Sequence, residues 1–131
     1  MRRETPQPSD AEWKVLHALW NKHPATAREL LDRLSREQWA YTTLKTMLTR
    51  MEEKGLVRSG MQGNTASYEP AVEQHAAERD AVRSLLRRVF DGAAGPLLAH
   101  LAEQEELSDS DRRALRKRLS ARPRKERPSD R

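Results

Sequence analysis

The spacing of apolar residues predicts a helix over residues 41–54. Leu44, Met47, Leu48 and Met51 recur at intervals of three and four residues, which places them on one helical face. The other side of the same helix carries hydroxyl and cationic side chains, here termed the polar arc: Thr42, Thr43, Lys45, Thr46, Thr49 and Arg50. We expect the apolar stripe to face a core and the polar arc to remain outside it.

A hairpin is predicted directly after this helix. Gly55 suits the left-handed conformation that ends helices, and Leu56 supplies the hydrophobic contact that often follows it. Residues 56–58 and 65–69 are rich in β-branched and aromatic residues, and a flexible, glycine-containing tip over residues 59–64 is expected to separate them. A helix followed directly by a hairpin, called the wing, is typical of a winged helix-turn-helix protein, which is a mostly α fold.

Two capped helices are predicted ahead of this segment. Ser9 and Glu12 form a capping box before an apolar run, and Thr26 and Glu29 repeat it. The apolar positions are Trp13, Leu16, Leu19 and Trp20 in the first helix, and Ala27, Leu30, Leu31 and Leu34 in the second. We interpret the two tryptophans as core residues rather than as platforms for bases. The second helix and the helix over residues 41–54 then form a helix-turn-helix pair.

The polar arc has the chemistry of a DNA-binding surface. Its first two turns contain no acid, which phosphate would repel, while hydroxyls, Lys and Arg reach phosphates and base edges. Arg28 would assist phosphate binding at the start of the second helix, where Thr26 is either a cap or a contact. The candidate DNA-binding residues are Arg28, Thr42, Thr43, Lys45, Thr46, Thr49, Arg50, Arg58, Gln62 and Asn64.

The remaining helices are predicted over residues 73–91, from Pro96, and from Ser108, where Asp111 completes a third capped start. Too few apolar residues lie on them to enclose a core, so we expect a two-fold homodimer; the alternative is that they fold back onto the first domain. The candidate dimerisation residues are Val82, Leu85, Leu86, Val89, Phe90, Leu97, Leu98, Leu101, Leu115 and Leu119.

Composition narrows the class of protein. The chain of 131 residues has 25 Lys and Arg against 20 Asp and Glu, a net charge of +5 that fits a polyanionic partner. It has no cysteine, which excludes disulfides and thiolate metal sites, and no apolar run approaches the ~20 residues that cross a bilayer. We expect a cytoplasmic protein without membrane insertion.

Neither catalysis nor a bound cofactor is expected. His17, His23, His75 and His100 form no metal or nucleophile motif. The expected organisation is a flexible arm (1–8), a winged-helix DNA-binding domain (9–71), a helical dimerisation domain (72–120) and a basic disordered tail (121–131).

Several motifs resemble those of the penicillinase-repressor family of BlaI, MecI and CopY types. They are Ala11-Glu12-Trp13 with Leu19-Trp20, the segment from Tyr41 to Met51 with its Thr49-Arg50 pair, Lys54-Gly55-Leu56-Val57, and Tyr68-Glu69-Pro70. The resemblance implies a homodimeric repressor whose amino-terminal winged helix binds a palindromic DNA operator and whose carboxy-terminal helices join the subunits. β-Lactam-response genes are the family precedent for the regulon.

Two departures limit this resemblance. The copper-sensing branch uses a carboxy-terminal cysteine cluster, which this chain lacks. In the β-lactam-responsive branch a sensor protease pathway leads to cleavage between Asn and Phe, and the matching positions here are Ala99 and His100. The alternative function is a winged-helix protein-interaction module that binds no operator.

Overall fold

The computed structural model describes residues 7–104 and 106–121. Its elements, in chain order, are α1 (Asp10–Asn21), β1 (Ala25–Thr26), α2 (Ala27–Arg33), a 3₁₀ turn (Ser35–Glu37), α3 (Tyr41–Glu53), β2 (Val57–Gln62), β3 (Thr65–Pro70), α4 (Gln74–Val89), α5 (Ala94–Glu103) and α6 (Asp109–Ala121). This order is that of a winged helix-turn-helix followed by further helices, which confirms the predicted fold class. Most of the predicted arm and the basic tail beyond Ala121 lie outside the described residues.

The chain divides into two compact units between Val82 and Arg83. The first unit contains α1 to β3 and the start of α4, and the second contains the rest of α4 with α5 and α6. The functional boundary expected after residue 71 stays a prediction. No helix within the described ranges is long and apolar enough to cross a membrane.

Both predicted capping boxes in the first unit are confirmed. The Ser9 hydroxyl accepts a hydrogen bond from the Glu12 amide at 3.2 Å, and the Glu12 carboxylate accepts one from the Ser9 amide at 2.9 Å. Thr26 and Glu29 make the same reciprocal pair at 3.1 and 2.8 Å. These bonds satisfy amides that a helix start otherwise leaves without partners, so α1 and α2 begin where the sequence predicts.

The predicted apolar stripes of α1, α2 and α3 supply seven of the twelve buried core residues that the structure describes in the first unit, and the other five are Val15, Ala25, Leu56, Val57 and Tyr68. The buried residues of this core are Val15, Leu16, Leu19, Ala25, Ala27, Leu30, Leu44, Leu48, Met51, Leu56, Val57 and Tyr68. Met47 and Trp20 are half-buried and pack against this core, and the Trp20 indole N–H donates to the Val72 carbonyl at 3.0 Å. Trp13, also predicted as a core residue, is half-buried and lies beside Trp20, with ring centroids 6.0 Å apart, but it is not one of the residues that pack against this core. The stripe of α3 therefore faces inward, as predicted.

The sheet is larger than the sequence suggested. Its strand order is β1-β3-β2, all antiparallel, so β3 lies in the middle. Strand β1 is a two-residue strand, too short to show a period of two, and it was not predicted. The wing was predicted to have a flexible tip over residues 59–64, and this was wrong. Residues 59–62 are paired with β3, and the turn consists of Gly63 and Asn64, with φ of +67° at Gly63 as a type II′ turn requires.

The second unit is helical and has little buried apolar surface. Within residues 83–104 and 106–121, Ser84 is the one buried residue, and apolar side chains are half-buried or exposed. The predicted cap at Ser108 and Asp111 is present, with reciprocal bonds of 3.0 and 3.1 Å. Helix α5 starts at Ala94, two residues before the predicted start at Pro96, because proline fits the first turn of a helix.

Candidate nucleic-acid interface

The polar arc lies on the surface of α3. Its four threonines and Arg50 are exposed, and Lys45 is half-buried. No acidic residue lies in the first turn of this helix. The structure therefore brings all six sequence-predicted residues of α3 together on one accessible face, free of carboxylates over most of its length.

The end of α3 sets the start of the wing. Gly55 has φ of +82°, its amide donates to the Glu52 carbonyl at 3.0 Å, and the Leu56 amide donates to the Met51 carbonyl at 2.8 Å. These two bonds form a Schellman motif, and Leu56 is buried after it, as predicted. The chain turns sharply at Gly55 and enters β2 directly.

Lys45 is held by a residue of the wing. Its ammonium Nζ donates to the Tyr68 hydroxyl at 3.1 Å and lies 5.7 Å from the centre of the Tyr68 ring. This hydrogen bond, together with the charge interaction of the same pair, raises the pKa of Lys45 above its ordinary value. Lys45 is thus a fixed cation on the polar arc. Sequence reasoning did not find this role of Tyr68.

Thr49 and Arg50, two other members of the polar arc, offer different groups to a ligand. The Thr49 hydroxyl donates to the Lys45 carbonyl at 3.1 Å, so it presents acceptor lone pairs to a ligand. Arg50 lines an open groove with Thr42, Thr43 and Thr46, next to the start of α1. The arc therefore offers both acceptors and cationic donors.

Arg28 lies at the start of α2, where its guanidinium carbon is 5.1 Å above the Tyr41 ring. A cation–π contact of this kind restrains an exposed arginine. Tyr41 is the first residue of α3, so Arg28 lies beside the start of that helix. Thr26 acts as the cap of α2, which accounts for its hydroxyl without a DNA contact.

The wing carries the remaining candidates. The Arg58 guanidinium lies 3.6 Å from the Glu69 carboxylate on the adjacent strand. Gln62 and Asn64 are exposed at and beside the turn. Met61 is 68% exposed on β2, an apolar side chain at the wing surface that sequence reasoning missed. The wing therefore presents one partly neutralised cation, two amides and one methionine.

A partly buried ion pair joins α1 and the end of α3 beside this surface. Lys54 Nζ lies 2.6 Å from Glu12 Oε1. Burial alone raises the pKa of Glu12, but the hydrogen bond and charge of Lys54 and the bonds from Ser9 outweigh it, and the pKa is lowered. Glu12 is therefore ionised at neutral pH. Among the residues that the structure describes, no group of three or more His, Cys, Asp or Glu side chains could hold a metal ion.

Comparison with known proteins identifies the family of this chain. The penicillinase repressor family model matches residues 8–121. The chain belongs to the penicillinase-repressor family. This is a family of DNA-binding transcriptional repressors and not of enzymes, which confirms the resemblance drawn from the motifs.

Relatives match over most of their length. The methicillin resistance regulatory protein MecI of Staphylococcus aureus is 26% identical over 121 residues, which cover 92% of this chain and 98% of MecI. The penicillinase repressor of Bacillus licheniformis is 26% identical over 110 residues, covering 83% of this chain and 86% of that protein. A solution structure of the DNA-binding domain of the repressor BlaI shares 30% identity with a TM-score of 0.49, over 56% of this chain and 90% of that one.

Proposed function

We propose that this repressor acts as a homodimer on a palindromic operator, with α3 of each subunit in a major groove and the wing beside it. The polar arc carries the proposal, because it gathers hydroxyls and cations on one exposed helical face. The major groove of B-DNA admits an α-helix and displays a distinct set of donors and acceptors for each base pair. Lys45 and Arg50 are the side chains that we expect to contribute most to affinity.

Other residues of the interface take supporting roles in this proposal. Arg28 contacts a phosphate near the start of α3, since the Tyr41 ring restrains it there. The wing residues Arg58, Gln62 and Asn64 reach the sugar-phosphate backbone or the adjacent minor groove. Such contacts fix the register of a protein on DNA, while base contacts supply the specificity.

The second unit supplies the dimer contact. Its candidate residues Leu85, Leu86, Phe90, Leu97 and Leu101 are half-buried within one chain, while Val89, Leu98, Leu115 and Leu119 are exposed. The remaining candidate, Val82, is exposed and is the last residue of the first unit. A second copy of the chain covers such a surface in a two-fold dimer, which also spaces two α3 helices for two half-sites. Affinity for the operator therefore falls steeply when the dimer dissociates.

The proposal extends to the regulated genes. The relatives include a methicillin resistance regulatory protein and a penicillinase repressor, so a β-lactam-response-like regulon is the precedent. In this proposal the protein binds the chromosome in the cytoplasm. Release through a sensor protease pathway is a further part of this proposal. Ala99 and His100 are exposed but helical within α5, so a protease that cuts there has to unwind that helix locally.

The decisive experiment sequences the genomic fragments that the purified protein retains and then titrates the recovered site. Lys45→Ala and Arg50→Ala are each expected to weaken binding by ~1–3 kcal/mol where a base contact is lost. Lys14→Ala is the matched control, because it removes a cation of α1 that pairs with Glu37 at 2.8 Å. Titrations at several salt concentrations separate loss of a phosphate contact from loss of a base contact.

The outcomes distinguish the two candidate functions. Recovery of palindromic fragments whose binding depends on Lys45 and Arg50 supports the repressor on its operator. Equal binding by the wild type and both variants refutes the assignment of the polar arc. Retention of one specific protein, with no enrichment of any duplex, supports the protein-interaction module instead.

A further inference from the structure

Tyr68 occupies a constrained position of the wing. It lies on the middle strand β3, where it pairs with Ala25 of β1 on one side and Ser59 of β2 on the other. Its side chain is 6% exposed and belongs to the hydrophobic core. The hydroxyl at the end of this ring is therefore held in place by two strand ladders and by core packing.

The hydroxyl of Tyr68 meets a cation of the polar arc. Lys45 Nζ lies 3.1 Å from it and 5.7 Å from the ring centre, so the ammonium group sits beyond the hydroxyl edge of the ring and the hydrogen bond holds it. A lysine ammonium has three N–H donors, and one of them is used here. Two donors remain for a ligand, and their origin is fixed relative to both α3 and the wing.

We propose that Tyr68 is a positioning residue that sets Lys45 for recognition of a base edge and links the wing to that recognition. This inference rests on the proposed operator binding. A free lysine samples many rotamers and attracts any nearby phosphate, whereas a lysine held at one point favours acceptors that lie at one place in the groove. Tyr68 thus acts on discrimination between sequences, while the charge of Lys45 supplies the general attraction.

Tyr68→Phe tests this directly, since it removes the hydroxyl and keeps the ring. Affinities are measured for the operator and for a set of operators with single base-pair changes, at several salt concentrations. We expect Tyr68→Phe to reduce discrimination at one base pair of each half-site by about threefold to tenfold. The salt dependence stays unchanged, because Lys45 keeps its charge.

The matched control is Ser59→Ala. The Ser59 hydroxyl donates to Glu52 Oε2 at 2.8 Å, so it also joins the wing to α3 but does not touch Lys45. We expect this variant to discriminate between sites as the wild type does. Loss of discrimination in both variants would mean that any loosening of the wing has this effect, and the specific role of Tyr68 would be rejected.

A second measurement combines Tyr68→Phe with Lys45→Met. If Tyr68 acts through Lys45, adding Tyr68→Phe to the Lys45→Met protein changes neither affinity nor discrimination. Additive effects of the two substitutions, or equal weakening of all sites by Tyr68→Phe, would overturn the inference. Thermal unfolding of each variant identifies any loss that comes from the fold.

A third measurement needs no DNA and separates this inference from the proposed function. Side-chain NMR relaxation of Lys45 in the free protein should show higher mobility in Tyr68→Phe than in the wild type. Unchanged mobility rejects Tyr68 as a positioning residue even if operator binding is established. Increased mobility in a protein that prefers no duplex rejects operator recognition, and with it the role in discrimination, while the Lys45–Tyr68 contact stands.

Discussion

Lys54 Nζ lies 2.6 Å from Glu12 Oε1 and so connects the end of α3 with the first turn of α1. The Glu12 side chain is 5% exposed and that of Lys54 is 31% exposed. The same carboxylate oxygen accepts the Ser9 amide at 2.9 Å. One acidic group therefore caps α1 and anchors α3, and the orientation of the polar arc depends on it.

Breaking this pair should destabilise the first unit. Lys54→Met leaves the buried Glu12 carboxylate without its cation, and we expect the free energy of unfolding to fall by about 1–3 kcal/mol in urea titrations. Lys14→Met is the matched control, because its ion pair with Glu37 is 50% and 26% exposed and should contribute less than about 1 kcal/mol. Equal losses in the two variants would contradict a special role for the buried pair.

Stability should also depend on pH through Glu12. Burial raises the pKa of Glu12, but the hydrogen bond and charge of Lys54 and the bonds from Ser9 lower it by a larger amount, so the net shift is downward. The stabilisation is therefore fully present above the ordinary value of 4.5 and is lost as the pH falls through the lower pKa of the folded protein. The stability difference between wild type and Glu12→Gln should shrink as the pH is lowered below 4.5. A difference independent of pH would show that another group is responsible.

Gly55 should resist substitution because of its backbone conformation. Its φ is +82°, and an added Cβ would have nothing within 4 Å, so the cost of Gly55→Ala is conformational. We expect a loss of about 1–2 kcal/mol in thermal or urea unfolding. Gly60→Ala is the control, since Gly60 has no positive φ and its Cβ would meet only the Ser67 hydroxyl at 3.9 Å. A smaller loss at Gly55 than at Gly60 would refute this account.

Removing the acid of the wing should strengthen binding to DNA. Glu69→Gln releases Arg58 from its 3.6 Å ion pair and removes a charge that repels phosphate. We expect affinity to rise about twofold to fivefold, with a steeper salt dependence, in anisotropy titrations. The control is Glu103→Gln on α5, which makes the same change of net charge in the second unit. If both variants gain equally, net charge rather than Arg58 explains the effect.

The exposed leucines of α6 provide a test of the dimer. Leu119 is 64% exposed, and Leu119→Glu places a charge on the surface that we assign to the dimer contact. Sedimentation should show monomers at concentrations where the wild type is dimeric, with operator affinity reduced in parallel. Ser120→Glu adds the same charge at the neighbouring exposed position and should remain dimeric. If Leu119→Glu remains dimeric and binds the operator with unchanged affinity, Leu119 is not part of the dimer contact.

Local patterns predicted much of this fold, and for a physical reason. Leu44, Leu48 and Met51 repeat at helical spacing because one face of α3 is buried, and Gly55 ends the helix because few other residues adopt its φ at low cost. Capping boxes act over three residues, so they too can be read from the chain. The six residues of the polar arc follow from the same helical spacing.

Contacts between distant residues were not predictable in this way. Lys45 meets Tyr68 and Glu12 meets Lys54 across 23 and 42 positions of the chain, and no local period records either pair. Strand β1 and residues 59–62 of β2 lack a run of β-branched residues, and their strand character comes from pairing with β3. These tertiary contacts determine how Lys45 and the wing are held.

The two sides of α3 have separate tasks, since Leu44, Leu48 and Met51 provide its packing and Thr42, Thr43 and Thr46 face outward. In the proposed binding mode, selection can therefore alter the preferred nucleotide sequence without disturbing the interior. A library randomised at these three threonines should consist largely of folded proteins, from which repressors of new promoters can be isolated. The DNA preference of this fold can therefore be changed separately from its stability.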